Sequence, residues 1–117
     1  MIKIYHNPRC RKSREGLEIL EKSGQTFEVV RYLEEIPSEE ELKSVIQSLG
    51  IAPEDLLRKN EAVWKENFKG KHLSDEEIVQ AMLEHPKLIE RPIVVKGDKA
   101  VIGRPAEKIS ALLSDND

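Results

Sequence analysis

Met1-Ile2-Lys3-Ile4-Tyr5-His6-Asn7-Pro8-Arg9-Cys10, followed one helix later by Phe27-Glu28-Val29-Val30-Arg31-Tyr32, decides the reading of this chain. The alternation of Ile2, Ile4 and His6 on one side predicts a strand over residues 1–6. Asn7-Pro8 is a turn signal. From Ser13 to Lys22, Leu17, Ile19 and Leu20 give the apolar stripe of a helix, and Gly24 stands where a left-handed cap would end it. Phe27 to Tyr32, β-branched and aromatic, predicts a second strand. Strand, helix and strand within about thirty residues make a βαβ unit, hence a parallel pair with a right-handed crossover.

Outward from that unit the pattern turns helical and then returns to sheet. Ser38 and Glu41 match a capping box, and Leu42, Val45, Ile46 and Leu49 carry the helix to Gly50. Pro53 to Leu57 reads as one short turn and Asn60 to Phe68 as a weak helix, with Trp64 and Phe68 spaced to pack together. Ser74 to Glu77 is a second capping box, opening a helix that His85-Pro86 stops. Arg91 to Val95 and Ala100 to Ile102 predict a hairpin turning at residues 96–99. Pro105 is expected at the first position of a final helix bearing Ile109, Leu112 and Leu113, and the tail 114–117 is expected to fray. A βαβ joined to a ββα around one mixed sheet is the thioredoxin-like α/β layout, here with a helical insertion over about 37–90.

Composition bounds what such a chain does. Its 117 residues suffice for a single domain, expected to span 1–117. The net charge of -3 argues against a general nucleic-acid binder, and no run approaches the roughly 20 apolar residues of a membrane span. The opening alternation leaves no room for a secretory signal, so a cytoplasmic monomer is expected. A single cysteine removes any internal disulfide, CxxC pair or multi-cysteine zinc site. Three scattered histidines add no metal-ligand spacing, and no bound cofactor is expected. If Cys10 is redox-active, its reducing partner comes from outside the chain.

Cys10 falls between the first strand and the first helix, at the carboxyl end of a parallel strand, where open α/β sheets bind ligands. A helix N-terminus there stabilises a thiolate through its dipole and free N–H groups, and the same groups bind oxyanions. Arg9, Arg11, Lys12 and Arg14 add positive charge. The alternative is an inert, buried thiol. His6, four residues earlier, is placed to help ionise the thiol or to orient the loop, or else is a strand-end histidine bonded to backbone. His72 and His85 read as structural. Arg91 and Arg104 each precede a proline, and antiparallel pairing of 93–95 with 100–102 brings them to the same end of the hairpin. Two guanidinium forks there suit a tetrahedral oxyanion, the alternative being ordinary surface ion pairs. Pro92 is a candidate for a cis bond.

Taken together, these motifs resemble the glutaredoxin-linked arsenate reductase family (ArsC-type) over nearly the whole chain. Tyr5-His6-Asn7-Pro8-Arg9-Cys10 resembles its Y-H-N-P-x-C loop, Leu56-Leu57-Arg58-Lys59-Asn60 its L-L-R-K-N motif, and residues 85–95 its H-P-x-L-I-x-R-P-I-V-V block. Gly103-Arg104-Pro105 is similar to its terminal R-P. Cys10-Arg11-Lys12-Ser13-Arg14 is closer to the C-S-K-S-R of a less characterised subgroup than to the archetypal C-G-T-S-R. The resemblance implies that Cys10 attacks arsenate and forms a thiol–arsenate adduct, that His6 favours the thiolate, and that Arg58, Arg91 and Arg104 bind the anion. It also implies that glutathione and glutaredoxin supply the external reducing power. Arg58 enters only through this resemblance; local pattern leaves it a surface residue. Two alternatives accompany it: a thiol oxidoreductase of the same fold acting on another small substrate, and an Spx-like regulator binding RNA polymerase.

Overall fold

The computed structural model describes residues 1–114, so the expected fraying of the tail beyond Ser114 lies outside the described residues. Strand β1 (Ile2–Tyr5) runs parallel to β2 (Phe27–Val30) and antiparallel to β3 (Ile93–Lys96), which pairs with β4 (Lys99–Ile102) in a hairpin. The order is β2-β1-β3-β4, the mixed sheet of the thioredoxin-like fold expected above. Ile4 stands opposite Val29 on one side and Val94 on the other, which fixes the register at the centre of the sheet. Gly97, at φ 63, makes the hairpin's reversal.

Helix α1 (Arg11–Ser23) joins β1 to β2 and ends on Gly24 at φ 74. It begins two residues before the predicted Ser13, with Cys10 in extended geometry as its N-cap. Apolar periodicity could not mark that start, because Arg11 and Lys12 are exposed, yet both are good helix formers. Strand β2 stops at Val30, short of the predicted Tyr32; that tyrosine is an anchor buried in the following turn rather than a strand residue. The last helix, α5 (Glu107–Leu113), corrects another expectation: Pro105 precedes it instead of opening it. Lys108 and Ile109 donate three residues back, to the carbonyls of Pro105 and Ala106, so 105–107 form a tight lead-in turn. Both X-Pro bonds at Arg91-Pro92 and Arg104-Pro105 are cis.

Ile2, Ile4, Leu20, Val94, Ile109 and Leu112 form the core between this sheet and the two helices. At its edge the packing is tight. A Cβ on Gly16 would lie 2.8 Å from Ile109 Cδ1 and 2.9 Å from Pro92 Cγ, and one on Gly103 would lie 2.6 Å from Ile109 Cδ1. The Gly103 N–H also donates to the Pro92 carbonyl at 2.8 Å. The missing side chain at 16 therefore lets α1 approach Pro92 and Ile109, and the one at 103 lets the turn after β4 approach Ile109 of α5.

The chain forms two compact units, one comprising Met1–Glu35 with the segment from Arg91 onward, the other Ile36–Glu90. In the second, α2 (Glu39–Leu49) packs on α4 (Asp75–Glu84), burying Leu42, Val45 and Ile46 with Ile78, Val79 and Met82. Ser38 accepts from the Glu41 N–H, and Ser74 with Glu77 closes a complete capping box. A 3-10 turn over Pro53–Leu56, the short helix α3 (Ala62–Asn67) and a 3-10 turn over Pro86–Leu88 complete it. Trp64 and Phe68 stack with centroids 5.2 Å apart, and His85 meets Phe68 edge-on at 5.9 Å.

Gly16→Ala tests the close approach. In an open helix the change stabilises by about 1 kcal/mol. Against the rigid Pro92 ring and the fully buried Ile109, overpacking of about 1–3 kcal/mol reverses the sign. Urea unfolding should show net destabilisation; unchanged or increased stability would show that the contact is not limiting.

Candidate functional site

The loop from His6 to Cys10 is tied at several points. The His6 N–H donates to the Val30 carbonyl at 2.8 Å, extending the β1–β2 pairing by one rung. Asn7 organises the turn: its side-chain oxygen accepts from the Arg9 N–H at 3.0 Å and its carbonyl from the Cys10 N–H at 3.0 Å. Arg14 Nη1 donates to the Pro8 carbonyl at 3.0 Å. The fully buried Ser13 hydroxyl accepts from the Asn7 N–H at 3.0 Å and lies 2.7 Å from His6 Nδ1. Loop and helix start are thereby one hydrogen-bonded piece.

Cys10 is free and half-buried rather than fully buried. Its partial burial pushes the thiol pKa up, but the Ser13 N–H, the Arg91 guanidinium and the Lys12 N–H together outweigh this and hold it below the ordinary thiol value. No acidic residue occupies the first turn of α1 to oppose the helix dipole. Arg104 reaches the same sulfur, with Nη2 3.5 Å from Sγ. Its Nε donates to the Arg91 carbonyl at 2.8 Å, so the two arginines are locked together at one end of the hairpin, where the Ile93–Ile102 pairing leaves them.

Burial, then the positive charge of Arg31 and Arg14, lower the His6 pKa despite the opposing Ser13 contact and Glu21. Its side chain meets the Ser13 hydroxyl, which ties the strand end to the start of α1. Arg11 and Lys12 are exposed and lean along the helix, 4.0 and 3.6 Å from the Glu15 carboxylate; Lys12 serves the sulfur through its backbone N–H instead. Ser13 was not marked by sequence pattern, although its position three residues after the capping cysteine is where an N-terminal N–H points back at the cap.

Arg58 belongs to the second unit. It is held between two carboxylates, Nε 3.2 Å from Glu61 and Nη1 2.8 Å from Glu90. Among the described residues no group of three His, Cys, Asp or Glu gathers as a metal site, and no helix is long and apolar enough to cross a membrane.

Comparison with known proteins follows the same lines. Residues 5–112 match the model of the ArsC family. An Escherichia coli K12 protein, the uncharacterized protein YfgD, is 47% identical over 110 residues, covering 92% of each chain. An arsenate reductase of Neisseria meningitidis serogroup A is 43% identical over 114 residues, covering 96% of this chain and 97% of its own. The solved structure of an arsenate reductase from Vibrio cholerae superposes with a TM-score of 0.88 at 48% identity, over 94% of this chain and 95% of that one.

The thiol electrostatics give a pH prediction. Alkylation by iodoacetamide follows the thiolate, so its rate should rise through an inflection below the free-thiol value of about 8.5. Removing a cation that favours the charged form moves the inflection upward, so Arg91→Ala should shift it to higher pH. An unmoved inflection would mean that Arg91 does not stabilise the thiolate.

Proposed function

The chain belongs to the ArsC family, and we propose that it reduces arsenate to arsenite through a covalent adduct on Cys10. The observation that carries this is a single free thiol at a helix N-cap with an arginine nitrogen 3.5 Å from its sulfur. Such a pocket favours two anions in sequence: the thiolate, and then a tetrahedral oxyanion brought against it.

The thiolate attacks arsenic(V). An As–S bond forms, an As–O bond breaks, and the departing oxygen takes up protons and leaves as water. Charge shed by the leaving oxygen and carried by those that remain falls to Arg91 and Arg104, already aimed at the sulfur. An external thiol then attacks Sγ. A disulfide bond forms, the As–S bond breaks, and its electron pair stays on arsenic, which departs as arsenite. The two electrons come one from each sulfur. No second cysteine exists to resolve the disulfide, so a further external thiol must restore Cys10.

We assign glutathione and glutaredoxin to those two external steps, and a reducing compartment, the cytoplasm, to the protein. His6, its pKa lowered chiefly by burial and its ring against the Ser13 hydroxyl, is assigned to holding the loop. Arg58 takes the oxyanion-binding role its motif implies; its guanidinium stays charged because the contacts of Glu90 and Glu61 more than offset the effect of burial.

The test is arsenate-dependent NADPH consumption in the presence of glutathione, glutaredoxin and glutathione reductase. Wild type should turn over, and Cys10→Ser should lose at least about a thousandfold, as removal of a covalent nucleophile does. Equal rates would reject the reading.

A further inference from the structure

Ser13 is the third residue of α1 and is fully buried. Its hydroxyl meets two groups of the preceding loop: it accepts from the Asn7 N–H at 3.0 Å and lies 2.7 Å from His6 Nδ1. Asn7 passes the constraint on, since its carbonyl accepts from the Cys10 N–H at 3.0 Å. Cys10 in turn caps α1, its carbonyl accepting from the Arg14 N–H at 3.0 Å. Serine, loop and cysteine thus close a ring of hydrogen bonds within residues 6–14. The amides of residues 11–13 precede that first intrahelical bond and have no helix carbonyl to meet, so they face the capping residue. Those of Lys12 and Ser13 favour the charged sulfur. Among the described residues the one hydrogen bond of the His6 ring is to Ser13.

We propose that Ser13 is a positioning residue whose hydroxyl holds the Cys10 sulfur against the first-turn amides of α1, and that His6 acts on the thiol through Ser13 rather than directly. This role rests on the reading of Cys10 as the nucleophile. A hydroxyl offers one proton and two lone pairs. Asn7 uses one lone pair, and His6 uses the proton or the other lone pair. A sulfur displaced from the amides loses their help, because a hydrogen bond weakens steeply as its angle closes. The charges facing the His6–Ser13 pair are Arg31, just after β2, and Arg14 and Glu21 on α1; Arg91 and Arg104 face the sulfur. All five stay in place in the variants below.

Alkylation of Cys10 by iodoacetamide as a function of pH tests this without arsenate, so its outcome is separate from that of the reductase reading. Ser13→Ala should raise the inflection by about one pH unit, the scale of one hydrogen bond to a charged group. His6→Ala should raise it in the same sense, and His6→Asn, which keeps a polar atom where Nδ1 stands, should restore it. The double variant Ser13→Ala/His6→Ala should match Ser13→Ala alone, because residues acting through one shared contact are not additive. An unmoved inflection in Ser13→Ala or in His6→Ala overturns the proposal, as does a double variant showing the sum of the two single shifts. Rescue by asparagine is not expected of an imidazole acting directly on the thiol, so a His6→Asn variant as shifted as His6→Ala overturns it too. Should Ser13→Ala fail to fold, the His6→Ala and His6→Asn pair decides in the same way. Arsenate turnover then separates the layers. If the variants shift as expected while wild type reduces no arsenate, the reductase reading fails and the positioning role stands. If wild type reduces arsenate while Ser13→Ala leaves the inflection unmoved, the positioning role alone is wrong.

Discussion

The close approach of α1 to the turns flanking the β3–β4 hairpin sets the chemistry of the first unit. It depends on what residue 16 lacks. With a Cβ at Gly16 less than 3 Å from both Ile109 and Pro92, the helix would stand further from the proline that follows Arg91. Because the space is empty, Cys10 at the start of that helix and Arg104 after the hairpin come within 3.5 Å. Gly16 spends helix propensity to achieve this, a local cost of about 1 kcal/mol accepted for a tertiary distance.

Electrostatics then follows from position rather than from composition. The chain carries 22 acidic and 19 basic residues, which argues for no basic surface at all. Yet the thiol sits where helix amides and a guanidinium converge, with no carboxylate in the first turn to cancel them. The flanking cations that look most conspicuous in the sequence, Arg11 and Lys12, are turned to Glu15 and solvent. The field at Sγ comes from backbone N–H groups and from Arg91 and Arg104, both far away in sequence.

This contrast explains what could be read in advance. The β1–α1–β2 unit and the hairpin follow from local alternation, helical spacing and glycine caps, all of which are properties of neighbouring residues. Arg91 and Arg104 were legible because antiparallel pairing carries two prolines' neighbours to one end. The start of α1 was placed late since charged first-turn residues have no apolar period, and Pro105 was assigned to a helix when the chain needed it in a turn. Arg58 had no local signal, because what marks it is a bridge from Leu57 to Ile89 and a carboxylate 32 residues on. Ser13 was equally silent: its hydroxyl matters only once loop and helix are folded against each other.

The central claim is that one cysteine carries out a two-electron reduction by borrowing its second thiol. Intact-protein mass spectrometry after a single turnover with arsenate and glutathione, without glutaredoxin, tests it most directly. The account predicts one glutathione disulfide-linked to Cys10, formed only when arsenate is present and in equal amount to the arsenite released. Arsenite appearing without that adduct, or the adduct forming equally without arsenate, would contradict it.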